Sequence, residues 1–139
     1  GKKLNKRNAR NLLNRTTNTK IMTTQSNIVN MHLSEPWFTL ITLGLKTIEG
    51  RLNKGKFKEL NVGDIIKWEN DDFKYRSIMT RITQKVEYKS FEKYLESEGM
   101  DKCLPAVPSL EHGLSVYYKY YTKEDEGKFG VVAIHLELV

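Results

Sequence analysis

The first thirty residues carry seven Lys and Arg side chains and no Asp or Glu, and this imbalance limits what that stretch can fold into. The seven are Lys2, Lys3, Lys6, Arg7, Arg10, Arg15 and Lys20. The whole chain holds 23 Lys and Arg, so 16 remain in residues 31–139, where they meet all 17 Asp and Glu. The net charge of +6 therefore divides into +7 on an N-terminal arm and −1 on the remainder. Residues 1–27 are also rich in Asn and Thr, and Leu4, Leu12, Leu13, Ile21 and Met22 set up no sustained period. A segment of this kind buries too little apolar surface to offset its ordering entropy, so a disordered basic arm is expected. Two uses are open to it. It is a solvated tail or trafficking signal, or it orders on a phosphate backbone, releasing counterions and making binding salt-dependent.

Residues 28–139 suit one further domain. Cys103 is the single cysteine, which leaves no internal disulfide and no cysteine pair for zinc, and fits a reducing compartment. His32, His112 and His135 lie too far apart in sequence for close metal-ligand spacing, so neither a metal nor another cofactor is expected. No apolar run approaches the ~20 residues that span a bilayer, and no apolar stretch follows the N-terminal charges as in a secretory signal. An intracellular chain, in cytoplasm or nucleus, with no membrane partner is the resulting expectation.

Short strands alternate with a few helices along the remainder. Ile28 to Leu33 reads as a strand, and Ser34 as the cap of a helix with Pro36 in its first turn. Trp37, Leu40 and Ile41 fall on one face of that helix, and Gly44 stops it. Strands follow at Thr47–Leu52 and, after the Asn61–Asp64 turn, at Ile65–Glu69. Asn70-Asp71-Asp72 then turns into a long strand between Phe73 and Tyr88, with Ile78, Thr80, Ile82 and Val86 on one parity. Ser90 caps a helix stopped by Gly99, and Ser109 caps another carrying Leu110, Leu114, Tyr117, Tyr118 and Tyr121. Thr122 to Gly127 forms a further short turn, and a last strand, Val131–Leu138, points Val132, Ile134, Leu136 and Leu138 inward. The pattern predicts an α+β fold, a small curved sheet or barrel with helices at its rim.

The densest polar cluster is Gly44-Leu45-Lys46-Thr47-Ile48-Glu49-Gly50-Arg51-Leu52. Lys46 follows the helix stop, near a turn, and is expected to project with little obstruction. Thr47, Glu49 and Arg51 share one strand face at ~6–7 Å intervals. Gly50 is weak in a strand unless something approaches closely or the strand bends. Two readings stand: a surface ion pair of Glu49 with Arg51, worth little, or a mixed-charge pocket for a nucleobase edge or phosphate. Trp37 either packs in the core or stacks on a base at the cleft mouth, and His32 either faces solvent or touches a ligand. Tyr117, Tyr118 and Tyr121 read as helix packing, leaving Lys119 and Tyr120 to solvent.

The run M-H-L-S-E-P-W-F-T-L-I-T-L-G-L-K-T-I-E-G-R-L, residues 31–52, resembles the opening of an ASCH domain, a family of PUA-like β-barrels. The G-x-K-x-x-E-x-R hallmark of that family is met by Gly44, Lys46, Glu49 and Arg51. Val62-Gly63-Asp64 and the closing segment Tyr120–Ile134 extend the resemblance over residues 29–139, and none of it covers residues 1–27. It implies a small mixed barrel with flanking helices and a cleft beside the first helix, floored by the hallmark residues. It implies RNA binding, by similarity to PUA modules. It also brings two enzymatic alternatives. One bacterial branch is an amidohydrolase acting on an acetylated cytidine with Lys, Thr and Glu, and another member is described as a ribonuclease. Lys46 matches that branch's Lys, whereas Glu49 stands where its Thr would be.

The expected function is therefore a nucleic-acid-binding module for single-stranded or structured RNA. Its ligand would sit among Lys46, Thr47, Glu49, Arg51, Trp37 and His32, with the seven arm cations on phosphates. If the chain is instead a hydrolase, Lys46 and Glu49 would be its catalytic residues. A third alternative is assembly into a ribonucleoprotein or virus particle. A monomer is expected.

Overall fold

Residues Val131–Leu138 form a strand whose two faces are both covered, and the other elements are arranged around it. The computed structural model describes residues 27–139. The expected disordered arm, residues 1–27, thus lies outside the described residues but for Asn27. In chain order the elements are β1 (Ile28–Leu33), α1 (Trp37–Thr42), β2 (Ile48–Leu52), α2 (Gly55–Glu59), β3 (Ile65–Asn70) and β4 (Ser77–Tyr88). Then come α3 (Phe91–Glu98), α4 (Met100–Cys103), α5 (Leu110–Tyr117), α6 (Lys123–Phe129) and β5 (Val131–Leu138). The five strands form one mixed sheet in the order β1-β3-β4-β5-β2, curled into a half-barrel. β1 pairs in parallel with β3, and the other neighbours are antiparallel. No helix among the described residues is long and apolar enough to cross a membrane.

Alternation along β5 sends Val132, Ile134 and Leu136 to one core with Ile66, Trp68 and Ile82 of the sheet and Phe38 and Ile41 of α1. Val131 and Ala133 face the second core, where Phe91, Tyr94 and Leu95 of α3 meet Ile48, Leu52 and Leu104. Full burial of each large apolar side chain is worth about 1.5–3 kcal/mol, so a helix layer on either face stabilises the central strand. Inside the first core, the Trp68 indole N–H donates to Thr80 Oγ1 at 2.9 Å, which satisfies a buried donor.

The local chemistry of caps matches the sequence reading at Ser90 and Ser109, and Thr122 adds a third cap. Ser90, Ser109 and Thr122 each accept a backbone N–H three residues on, from Lys93, His112 and Asp125 at 3.1, 3.2 and 3.1 Å. Gly99 ends α3 with φ +98°. α1 differs. Its N-cap position is Pro36, with no side-chain cap, and Ser34 contributes only its carbonyl, which accepts the Phe38 N–H at 3.0 Å. The capping side chain is Glu35, which accepts the Thr39 N–H at 3.1 Å and the Thr39 hydroxyl at 2.9 Å. This start rotates the helix so that Phe38 and Ile41 are buried, while Trp37 and Leu40 are only half-buried.

Three further expectations need correction. The long strand begins at Ser77 and not at Phe73, because Asn70 Oδ1 accepts the N–H groups of Asp72 and Phe73 at 2.7 and 3.0 Å and holds them in a turn. Val86 does not share a face with Ile78 and Ile82. The register shifts between Ile82 and Gln84, and this bulge exchanges the faces of β4. Val86 then pairs with Ala133 on the second core, and Lys85 pairs with Ile134 on the first. Lys85 Nζ is accommodated there by donating to the carbonyls of Phe57, Lys58 and Leu60 at 2.8, 3.1 and 2.6 Å, which closes the C-terminal end of α2. Leu138 is 47% exposed, since the first core ends at Leu136.

Candidate functional site

Gly44, at φ +75°, takes the left-handed conformation that reverses the chain after α1. The N–H groups of Leu45 and Lys46 both donate to Leu40 O at 3.0 Å, so the turn folds tightly back on the helix. Lys46 is thereby directed inward and is only 2% exposed, which corrects the expectation of an unobstructed side chain. Its Nζ donates to Ile48 O at 2.7 Å and to Cys103 O, and lies 3.1 Å from Glu49 Oε1. An ammonium has three protons, and three acceptors surround this one.

Glu49 is 6% exposed and receives a second cation, the Arg51 Nε at 2.6 Å from Oε2. Burial by itself would push this carboxyl up. The charges and hydrogen bonds of Lys46 and Arg51 outweigh it and hold the group below the ordinary carboxylate value of 4.5. Burial likewise tends to lower the Arg51 pKa, but Glu49 reverses the sign and keeps the guanidinium firmly charged. The pair is consequently an interior one, and the surface ion-pair reading does not hold. The three groups sum to one excess positive charge.

These groups border a cavity of about 220 Å³. Trp37, Tyr117, Tyr120 and Tyr121 supply its aromatic walls, and His32 and Asp71 stand at one side. The volume is below the ~300–1,000 Å³ usual for drug-sized ligands, so the space suits one flat ring or one small anion. Lys46 Nζ lies 5.7 Å from the Trp37 ring centroid, and Arg51 Cζ lies 4.6 Å from that of Phe57. Of the five guanidinium N–H donors, Nε goes to Glu49 and Nη2 reaches His32 O at 3.3 Å. The Tyr121 hydroxyl also engages the guanidinium, which leaves two of the five donors to face the cavity.

The sequence-predicted site residues are thus partly assembled. Lys46, Glu49, Arg51, Trp37 and His32 all border the cavity. Thr47 does not. Its N–H donates to Lys102 O at 3.1 Å, and the residue borders a separate hollow with Ile41, Leu136 and Leu138. The expectation that Thr47 shares the cleft fails because its position precedes β2, where strand alternation has not yet begun. His32 is exposed, with Nδ1 3.4 Å from Asp71 Oδ1. The arm cations Lys2, Lys3, Lys6, Arg7, Arg10, Arg15 and Lys20 lie outside the described residues.

Sequence reasoning missed the tyrosine wall. Tyr117 and Tyr121 do pack, stacking on Phe91 at centroid distances of 4.4 and 5.3 Å, but they also border the cavity. The cluster Tyr117-Tyr118-Lys119-Tyr120-Tyr121 held the signal, which helical spacing assigned to packing alone. Gly50 answers its own question. A Cβ there would lie 2.5 Å from Tyr94 Cε2 and Cζ, so the close approach is by a core ring.

The ASCH domain model matches residues 31–139. Among solved structures, the hypothetical protein PH0355 is 38% identical, with a TM-score of 0.74, covering 81% of this chain and 99% of its own. Protein PF0455 from Pyrococcus furiosus is also 38% identical, with a TM-score of 0.66, covering 81% of this chain and 97% of its own. A ZmASCH mutant protein from Zymomonas mobilis shares the fold at 12% identity and a TM-score of 0.52, covering 80% of this chain and 68% of its own. None of the curated proteins matches the sequence. A family match that runs from the middle of β1 through β5, with two structural relatives well above the range of chance identity, makes this chain a member of the ASCH domain family.

Proposed function

We propose that this chain binds RNA, taking one unpaired nucleotide into the cavity above Lys46, Glu49 and Arg51, while the basic arm contacts phosphates. The observation that carries this reading is the division of labour among the three ions. Lys46 is committed to Glu49 and the backbone, Glu49 to Lys46 and Arg51, and Arg51 keeps two donors for a ligand beside an aromatic-walled space. A guanidinium held flat by Glu49 can present paired N–H groups to a base carbonyl or to a phosphate, and tyrosine and tryptophan faces suit base stacking. Unpaired RNA fits better than duplex, since only loops and ends offer a base that can enter a cavity. Membership supports the reading too, since the ASCH family is a PUA-like fold associated with RNA binding.

The hydrolase alternative asks more of Lys46 than its surroundings offer. A general base needs a free lone pair, and this amine is enclosed by three acceptors.

Fluorescence anisotropy with unstructured RNA tests the proposal. Arg51→Ala should weaken binding by about tenfold, the size expected of one charge-assisted bidentate interaction, and should blur base preference. Removal of residues 1–27 should leave base preference intact and flatten the salt dependence by about 0.7 for each phosphate the arm no longer holds. Wild-type affinity and base preference in Arg51→Ala would refute the cavity as the RNA site. Turnover of acetylated cytidine or of labelled RNA, abolished in Lys46→Ala, would favour the hydrolase.

A further inference from the structure

The segment Lys54-Gly55-Lys56-Phe57-Lys58 puts three cations into five residues, and Lys128-Phe129 repeats the Lys-Phe pairing. The four lysines are exposed, and among the described residues none of them forms an ion pair. Glu59 on α2 and Glu126, two residues before Lys128, are the nearest acids in sequence; Glu126 accepts instead from the Phe91 N–H and the Tyr118 hydroxyl, and neither acid pairs with these lysines. Two of these cations converge on one ring: Lys54 Nζ lies 4.8 Å and Lys128 Nζ 5.2 Å from the Phe129 centroid. Lys85, half-buried beneath the end of α2 with its Nζ on three carbonyls, adds a further positive charge to the same element. Lys54 and Lys128, gathered at one ring, repel each other, and an anion laid across them would relieve the repulsion.

The position of this shelf is what gives it meaning. On one side Phe57, between Lys56 and Lys58, lies against the Arg51 guanidinium that borders the cavity. On the other side α2 leads through the Asn61–Asp64 turn to Ile65, whose N–H donates to Asn27 O at 2.8 Å, where the basic arm begins. We propose that Lys54, Lys56, Lys58 and Lys128 form a phosphate-binding shelf that carries single-stranded RNA from the cavity to the root of the arm. This inference rests on the RNA reading of the cavity and extends it to a strand path.

The test uses the full chain, an oligouridylate of about ten nucleotides, single ribonucleoside monophosphates and an oligoglutamate peptide. The combined Lys54→Gln, Lys56→Gln, Lys58→Gln and Lys128→Gln variant should bind the oligonucleotide about tenfold more weakly at low salt. Its slope of log K against log salt should be shallower by about 2–3, at roughly 0.7 per phosphate. Mononucleotide binding should be unchanged in this variant, whereas Arg51→Ala should weaken both ligands. Wild-type oligonucleotide affinity and slope in the quadruple variant would overturn the shelf. So would a variant that keeps RNA but loses oligoglutamate, which would assign the surface to an acidic protein. A wild-type chain that takes up no mononucleotide, yet whose quadruple variant still loses oligonucleotide, would fail the cavity reading and leave the shelf standing. Absence of any RNA binding by the wild type would overturn both.

Discussion

Lys46 Nζ and Glu49 Oε1 lie 3.1 Å apart with their side chains 1% and 8% exposed, so the hallmark Lys and Glu neutralise each other inside the protein. Taking either charge out of water alone costs several kcal/mol, and mutual attraction plus the surrounding carbonyls and Arg51 offset that cost. The pair fixes where Arg51 points, since the guanidinium is anchored to the opposite oxygen of the same carboxylate.

Replacing Lys46 by Met keeps most of the volume and removes the charge. Glu49 is then left buried with one cation, and two backbone carbonyls are deprived of their donor. Stability should fall by about 3–5 kcal/mol, as for other broken buried pairs. Urea denaturation reads this directly. Adding Glu49→Gln should restore part of the loss, and a midpoint unmoved by Lys46→Met would contradict the geometry.

The same carboxylate predicts an acid limb in stability. Its folded pKa is depressed below 4.5, despite burial, by Lys46 and Arg51. A group with a lowered folded pKa contributes its full stability above the unfolded value and loses it as pH falls through the folded one. Unfolding free energy should therefore hold near neutrality and drop once pH passes below about 4.5. Denaturation series across that range should show a shallower drop for Glu49→Gln than for wild type. Some slope should persist through Glu35, whose carboxyl is also held low.

Gly50→Ala tests the packing behind the site. The new methyl would meet Tyr94 ring atoms at 2.5 Å, and that ring is hemmed in by Tyr88, Phe91 and Tyr117 at centroid distances of 6.2, 6.4 and 5.8 Å. With no room for the ring to yield, a loss of about 1–3 kcal/mol is expected in thermal or chemical unfolding. Combined with Tyr94→Leu, the alanine should cost much less than it does alone. Additive effects in this double-mutant cycle would place the strain elsewhere.

What the sequence disclosed and what it concealed follow one physical division. Ser90, Ser109 and Gly99 act on groups three or four residues away, so their roles could be read from the chain itself. The hallmark spacing similarly brought Lys46, Glu49 and Arg51 to one place. The burial of Lys46 was out of reach because its third acceptor, Cys103 O, stands 57 residues away. Val86 was misplaced because the bulge near Thr83 answers to the pairing of β4 with β5, and parity within one strand carries no trace of it. Trp37 and Phe38 are adjacent, and which of them enters the core depends on the helix start that Glu35 sets. Long-range register and backbone acceptors from distant elements account for the remaining misses.

β1 also works as a gauge. Asn27 at its foot is where the cationic leader attaches, and His32 and Leu33 at its head stand beside the cavity. Five steps from Ile28 to Leu33, at about 3.3 Å each, separate the two by roughly 17 Å. On the RNA binding proposed above, a strand touching both ends must span that distance, so a mononucleotide would engage one end or the other but not both. Under that proposal the length of β1 sets the shortest strand able to join leader and cavity.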